Sequence, residues 1–308
     1  MIYRSFGKTG WNVSAIGMGT WNIGNQWGEL SEAEAYATVM SAYENGINIF
    51  DTAEAYGIPY GLSEKRLGVA LTGIRHRVYV VSKIGLWGAR TGQKVPKTTV
   101  DMIRLCAHAS LYRLRSDFID VMLCHEYDIK DSSIYLEAFE LLKKSGEIRE
   151  YGISTDDLEV LKRFNQNGNC AVVELDYSLI NRKAEEGLLQ YCMENNIAVL
   201  VRGPLAKGLL SGRYTKDHIF SDSVRKAYNE GELRNQFIEK IEKVDKVREV
   251  LDEDDNMADI ALRYIISHES APVAIPGAKS PEQAEKNANS GRALLDEQKL
   301  KRLRALSL

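Results

Sequence analysis

Asp51, Tyr56, Lys83 and His125 are the side chains whose types and spacing could do chemistry together. Each lies at or just past the end of an apolar run. Phe50-Asp51 leads into Thr52-Ala53-Glu54-Ala55-Tyr56-Gly57, Val80-Val81-Ser82 into Lys83, and Leu123-Cys124 into His125-Glu126. A phenol near its ordinary pKa of ~10 is a poor acid at neutral pH. An ammonium beside it favours the phenolate, and a carboxylate can hold that ammonium in place. A neutral imidazole can donate a hydrogen bond to a carbonyl oxygen that is gaining negative charge. The four together supply a general acid and an oxyanion partner for a carbonyl group. No nucleophile accompanies them: the chain has neither GxSxG nor a Cys/His pair at a recognisable spacing. The missing reagent is a hydride, which no side chain supplies, so a nicotinamide cofactor is implied. Singly, each residue has a plainer reading: Asp51 as a cap, Tyr56 as packing, Lys83 snorkelling at the surface, His125 as a satisfied polar group. Their convergence on consecutive strand ends favours the chemical reading.

Strand ends of this kind need a scaffold that aligns them. Eight short apolar runs, residues 13–17, 47–51, 78–83, 119–125, 150–153, 171–176, 197–201 and 273–275, alternate with helical stretches. Most are apolar nearly throughout, as strands covered on both faces must be. Between them apolar residues recur at helical spacing: Met102, Leu105, Cys106 and Ala109; Leu158, Leu161 and Phe164; Ile238, Ile241, Val244 and Val247. Ser31 and Glu34 stand at capping-box spacing, and Asn45-Gly46 reads as a helix stop. Eight alternations without a break in composition predict a single domain over residues 1–308. Its fold would be a (β/α)8 barrel of the TIM type with the active site at the C-terminal rim of the strands. The competing doubly wound sheet should open with GxGxxG, and Gly17-Met18-Gly19 lacks the third glycine. The longest irregular stretch, residues 203–234, follows the seventh run, where a functional loop is expected. The acidic run 252–255 is expected to be a solvated loop.

Composition narrows the function further. The chain has 308 residues, 44% of them apolar, and 40 basic against 43 acidic residues for a formal charge of −3. That balance argues against a nucleic-acid partner. No apolar run approaches the ~18–20 residues of a membrane span, and Met1-Ile2-Tyr3-Arg4-Ser5 does not look like a signal peptide, so a cytoplasmic protein is expected. Cys106, Cys124, Cys170 and Cys192 stand far apart, and the five histidines are never paired at ligand spacing, so no metal site is expected.

The order and approximate spacing of Asp51, Tyr56, Lys83 and His125 resemble the catalytic tetrad of the aldo-keto reductase family. The resemblance covers nearly the whole chain. It runs from Tyr3-Arg4-Ser5-Phe6-Gly7-Lys8-Thr9-Gly10 through Gly17-Met18-Gly19-Thr20-Trp21, Gly152-Ile153-Ser154 and Tyr177-Ser178-Leu179-Ile180-Asn181-Arg182. It continues with Gly203-Pro204-Leu205-Ala206-Lys207-Gly208-Leu209-Leu210-Ser211-Gly212 and ends with Ile275-Pro276-Gly277-Ala278-Lys279-Ser280-Pro281-Glu282-Gln283 and Asn287. The Pro-Gly-Ala-Lys segment is similar to the bacterial and channel-β-subunit branch. The resemblance implies that Tyr56 gives the proton to the carbonyl, Lys83 lowers its pKa, Asp51 holds Lys83 and His125 orients the carbonyl. It implies NAD(P)H lying across the barrel mouth. Gly19, Thr20, Trp21 and Asp51 would contribute from the first two strand ends, and Ser154 and Glu174 would face the nicotinamide amide. Arg202 would lie by the ring, and Gly203, Pro204, Leu205, Lys207, Gly208, Leu210 and Gly212 would cover the pyrophosphate. Gly277, Lys279, Ser280, Gln283 and Asn287 would hold the adenosine end. Lys279 and Ser280, a cation beside a hydroxyl, lead to an expected preference for NADPH over NADH. Trp21, Tyr56, Trp87 and His125 would face a small carbonyl or polyol substrate.

The chain departs from that family's pattern at four positions. Thr155 stands for an asparagine, Glu174 for a glutamine, Arg202 for an aromatic residue and Lys286 for an acidic one. An ionised Glu174 would be acceptor-only and would favour the positively charged oxidised ring, unless it is paired with a base such as Arg202. A guanidinium can itself stack on a flat ring. Two other classes compete: a cofactor-binding regulatory subunit of the channel-β type, and a lyase or isomerase that uses Lys83 as a Schiff base.

Overall fold

A computed structural model describes residues 1–307. Eight parallel strands follow one another: β1 (Met18–Gly19), β2 (Ile49–Asp51), β3 (Tyr79–Ile84), β4 (Ile119–Cys124), β5 (Ile148–Ser154), β6 (Val172–Asp176), β7 (Ala198–Arg202) and β8 (Val273–Ala274). Each pairs with its successor. Bridges Ile16–Ala274 and Gly19–Gly277 close the ring, with the Gly17 and Gly19 amides donating to Ala274 and Pro276 at 2.8 and 3.1 Å. The expected (β/α)8 barrel is the fold of this chain.

The helices are α1 (Glu32–Glu44), α2 (Leu62–Ala70), α3 (Val100–Leu114), α4 (Ser133–Lys144), α5 (Leu158–Phe164), α6 (Leu188–Glu194), α7 (Gly231–Glu249), α8 (Met257–Ile266), α9 (Pro281–Ser290) and α10 (Glu297–Arg304). Ser31 and Glu34 form the expected capping box at the start of α1. Two elements differ from expectation. The run 13–17 divides: Val13 and Ser14, with Asn12 before them, pair antiparallel with Tyr3–Ser5, whereas Ile16 bridges Ala274 and so reaches the barrel. That hairpin closes the lower mouth, where Phe6, Val13 and Trp11 pack against the barrel interior. Apolar periodicity reports burial and does not say which sheet is being served. The acidic run 252–255 is a loop, but it is ion-paired: Lys299 of α10 meets Asp252 at 2.5 Å and also Asp255, and Arg302 meets Asp252 at 3.1 Å. No helix among the described residues is long and apolar enough to cross a membrane.

The barrel's interior explains where the site must be. Side chains alternate across a strand, so one set faces inward. Ile49, Val81, Val121, Leu123, Val172, Leu200, Val273 and Ile275 fill the interior as an apolar plug. Phe50, Val80, Ile84, Met122, Val173 and Val201 face the helices. Two residues further along the inward set come Asp51, Lys83, His125, Glu174 and Arg202. The polar layer is thus the next storey above the plug. On the outer face of β3, Ser82 donates to Glu64 of α2 at 2.6 Å and Arg113 of α3 donates to its other oxygen at 2.5 Å, which ties the lysine-bearing strand to two helices.

Candidate active site

Lys83 is the centre of the polar layer. Its Nζ donates to Asp51 Oδ1 at 2.5 Å, to the Thr52 carbonyl at 2.9 Å and to Tyr56 Oη at 3.3 Å. Glu174 Oε2 lies 3.1 Å from the same nitrogen. The Tyr56 ring stands between Trp21, stacked at 5.7 Å, and His125, edge-on at 6.0 Å. All four residues of the expected tetrad therefore meet at one point.

The loop that carries Tyr56 is held from several sides. Gln26 Oε1 accepts from Trp21 Nε1 and from the Gly57 amide, both at 2.7 Å. Arg90 donates to the Gly57 carbonyl at 2.6 Å. Glu54 accepts from the Gly85 amide at 2.9 Å and faces Lys97 at 3.5 Å. The amide and hydroxyl of Thr20 both donate to the Asp51 carbonyl at 2.8 Å. Thr20, expected at the cofactor, thus has its hydroxyl committed inside the protein. Trp87 packs on Tyr60 at 5.1 Å with the Arg113 guanidinium 5.5 Å from its ring.

Burial dominates the electrostatics. It opposes the Lys83 ammonium, but Asp51 and Glu174 outweigh it and hold Lys83 above its ordinary value. Burial pushes the Tyr56 phenol up; Lys83 pulls it down, and Asp51 and Glu174 push it up again. The lowering by Lys83 read from the sequence is present but is exceeded by burial. The phenol is therefore protonated at neutral pH, the form a proton donor needs. Burial, followed by the cations Lys83, Arg202 and Lys94, pushes His125 well below its ordinary value, so its imidazole is neutral. Arg202 pairs with Asp156, which the sequence reading had not singled out, and not with Glu174. Asp156 gave no local signal, because its partner lies 46 residues away.

Three rim loops meet beside this centre. Ser223 Oγ donates to the Gln26 carbonyl at 2.7 Å. Arg225 lies 5.2 Å from the Trp27 ring and donates to the Lys207 carbonyl at 3.3 Å. Lys279 Nζ donates to the Trp27 carbonyl at 2.7 Å. In the loop after β7, Gly203, Ala206, Lys207, Gly208 and Gly212 all have positive φ, at 63, 48, 55, 91 and 73°. The amides of Ala206, Gly208 and Gly212 are used within the loop, on the Gly203, Leu205 and Leu209 carbonyls. Leu210, expected at the cofactor, is fully buried and its amide donates to the Leu205 carbonyl at 3.2 Å. At the start of α9, Ser280 caps the helix, Gln283 Oε1 accepts from the Lys279 amide at 2.9 Å, and Asn287 donates to the Gly277 carbonyl at 3.2 Å. A helix N-terminus beside an ammonium suits a phosphate. The donor set, the start of α9 with Lys279 and, joined to it through Trp27, the Arg225 guanidinium, fits the phosphates of a dinucleotide. Ser154 of β5 is in register with Glu174 of β6, and both are buried.

A profile of the aldo/keto reductase family matches residues 15–308. Among curated relatives, the aldo-keto reductase YhdN of Bacillus subtilis is 30% identical over 92% of this chain and 87% of its own. The NADH-specific methylglyoxal reductase of Escherichia coli is 29% identical over 91% of this chain and 90% of its own. Among solved structures, the holo form of aldo-keto reductase AKR11C1 from Bacillus halodurans superposes with a TM-score of 0.82. It is 27% identical, over 99% of this chain and 95% of its own. An aldo-keto reductase from Klebsiella pneumoniae in complex with NADPH gives 0.71 at 27% identity, over 98% and 94%.

Proposed function

Because the chain belongs to the aldo/keto reductase family, we propose that it interconverts a small carbonyl compound and the corresponding alcohol with NAD(P)H as cofactor. The observation that carries this reading is the buried Lys83 ammonium 3.3 Å from the Tyr56 hydroxyl, fixed by Asp51 and facing neutral His125. The cofactor, when bound, supplies or accepts the hydride. Tyr56 gives its proton to the oxygen of the reacting carbonyl. Lys83 stabilises the phenolate left behind, and the His125 imidazole donates to the same substrate oxygen. Lys83 is held as an ammonium by its carboxylates, whereas a Schiff base needs the free amine, so the lyase alternative has the wrong protonation state.

The substrate is a small, polar aldehyde, ketone or sugar. The aromatic wall of Trp21 and Tyr56 and the methylglyoxal reductase among the relatives both support that class. Following nicotinamide absorbance with both cofactors over a panel of aldehydes, ketones and sugars should show oxidation of the reduced form. A panel with no turnover, together with no binding of either nucleotide, would contradict the proposal.

For the cofactor, we propose that Lys279 and Ser280 read the 2′-phosphate of NADPH. The ammonium uses one proton on Trp27 and retains two. Lys279→Ala is expected to weaken NADPH by about 1–3 kcal/mol, the scale of a charge-assisted bond, with little change for NADH. Equal losses for both nucleotides in a fluorescence titration would remove Lys279 from that role.

A further inference from the structure

Tyr56 belongs to no strand. It lies in the loop between β2 and α2, so its hydroxyl stays 3.3 Å from Lys83 only while that loop is fixed from outside. Gln26, in the loop after β1, supplies the link. Its side chain is buried, and its Oε1 accepts from Trp21 Nε1 and from the Gly57 amide, both at 2.7 Å. Two N–H donors on one atom settle that this atom is the oxygen, because the amide nitrogen cannot accept. A single oxygen thus ties the indole stacked on the Tyr56 ring to the peptide that follows Tyr56. The two loops also meet through their backbones. A Cβ on Gly24 would lie 2.8 Å from the Gly57 Cα, and the Ile58 amide donates to the Gly24 carbonyl at 2.8 Å.

The segment that carries Gln26 is itself anchored. Arg66 of α2 is buried and donates to the Ile23 carbonyl at 2.6 Å, to Asn25 Oδ1 at 2.8 Å and to the Leu30 carbonyl at 2.7 Å. Ser223 holds the Gln26 carbonyl. Without the Gln26 oxygen the buried Gly57 amide has no partner, a cost the loop relieves by turning the 56–57 peptide towards another acceptor. That rotation swings the tyrosine. A misplacement of ~1 Å at a reacting group costs about 10²-fold in rate.

We infer that Gln26 is a positioning residue for the proton donor: through Gly57 and Trp21 it sets where the Tyr56 hydroxyl stands relative to Lys83. The inference rests on the reading of Tyr56 as proton donor.

Gln26→Met keeps the length of the side chain and removes the oxygen, whereas Gln26→Glu keeps an acceptor at the same place. With saturating nucleotide in stopped flow, Gln26→Met should slow hydride transfer by about 10–100-fold, and Gln26→Glu should recover most of the loss. In the Tyr56→Phe background, Gln26→Met should cost less than about threefold, because the hydroxyl it positions is gone; a purely structural role would cost the same in both backgrounds. Gln26→Asn, which draws the amide back by one methylene, should give the same pattern and replaces Gln26→Met if that variant does not fold. Amide hydrogen exchange over residues 54–60 adds a readout without turnover. Exchange at Gly57 should quicken in Gln26→Met and stay at the wild-type rate in Gln26→Glu. Equal losses in the two backgrounds, or unchanged exchange at Gly57, overturn the inference. Quickened exchange in a protein whose Tyr56→Phe variant keeps its kcat would instead count against Tyr56 as proton donor and leave the hold of Gln26 on Gly57 standing.

Discussion

Tyr56→Phe is expected to lower kcat by about 10²–10⁴-fold, the usual contribution of a positioned general acid, while nucleotide affinity stays at the wild-type level. The ring remains to stack on Trp21 and against His125, so the site keeps its shape and only the hydroxyl is lost. The Lys83 proton that met the phenol then faces no acceptor on that side. Stopped-flow measurement of hydride transfer with saturating cofactor gives the result directly. A variant that retains more than about a tenth of wild-type kcat would show that another group, such as His125 or water, delivers the proton, since general acids contribute at least ~10²-fold.

Lys83→Met is expected to damage both catalysis and stability. The ammonium is buried against Asp51 and Glu174, whose side chains are 4% and 0% exposed. Removing one partner of a buried ion pair leaves an uncompensated charge and typically costs about 3–5 kcal/mol. The sign of the pH dependence follows. Asp51, already raised in the wild type, rises further without Lys83. A carboxyl group whose folded pKa exceeds its unfolded one stabilises the fold below the ordinary carboxylate range and loses that contribution as pH rises through the folded value. The variant should therefore lie close to wild type in denaturant midpoint at acid pH and fall away from it towards neutral pH. A constant gap across that range would mean that Asp51 carries no unpaired charge in the variant.

The catalytic layer was legible in the sequence because the barrel strands obey a period of two. Val81 and Lys83, Leu123 and His125, and Val172 and Glu174 each read as one apolar position in the plug followed by one polar position above it. The first strand was not legible in the same way. The run 13–17 serves two sheets, Val13 packing under the barrel and Ile16 bridging Ala274 within it, and the strand that carries Gly19 has only two paired residues. The contacts that hold the rim loops were not legible either. Ser223 reaches Gln26 across 197 residues and Lys279 reaches Trp27 across 252, and no local pattern marks either pair. Glu174 falls between these cases. Its position was visible in the sequence, but its partner was not, since Lys83 and Arg202 both lie within reach of the same storey.

The reaction assigned to this centre can be followed atom by atom. With reduced cofactor carrying deuterium at the transferring position and a small ketoaldehyde as substrate, the product alcohol should carry that deuterium on its new carbinol carbon, and Tyr56→Phe should slow its appearance by about 10²–10⁴-fold. An alcohol that contains no deuterium, or a substrate trapped covalently on Lys83 by borohydride, would contradict hydride transfer with Tyr56 as proton donor.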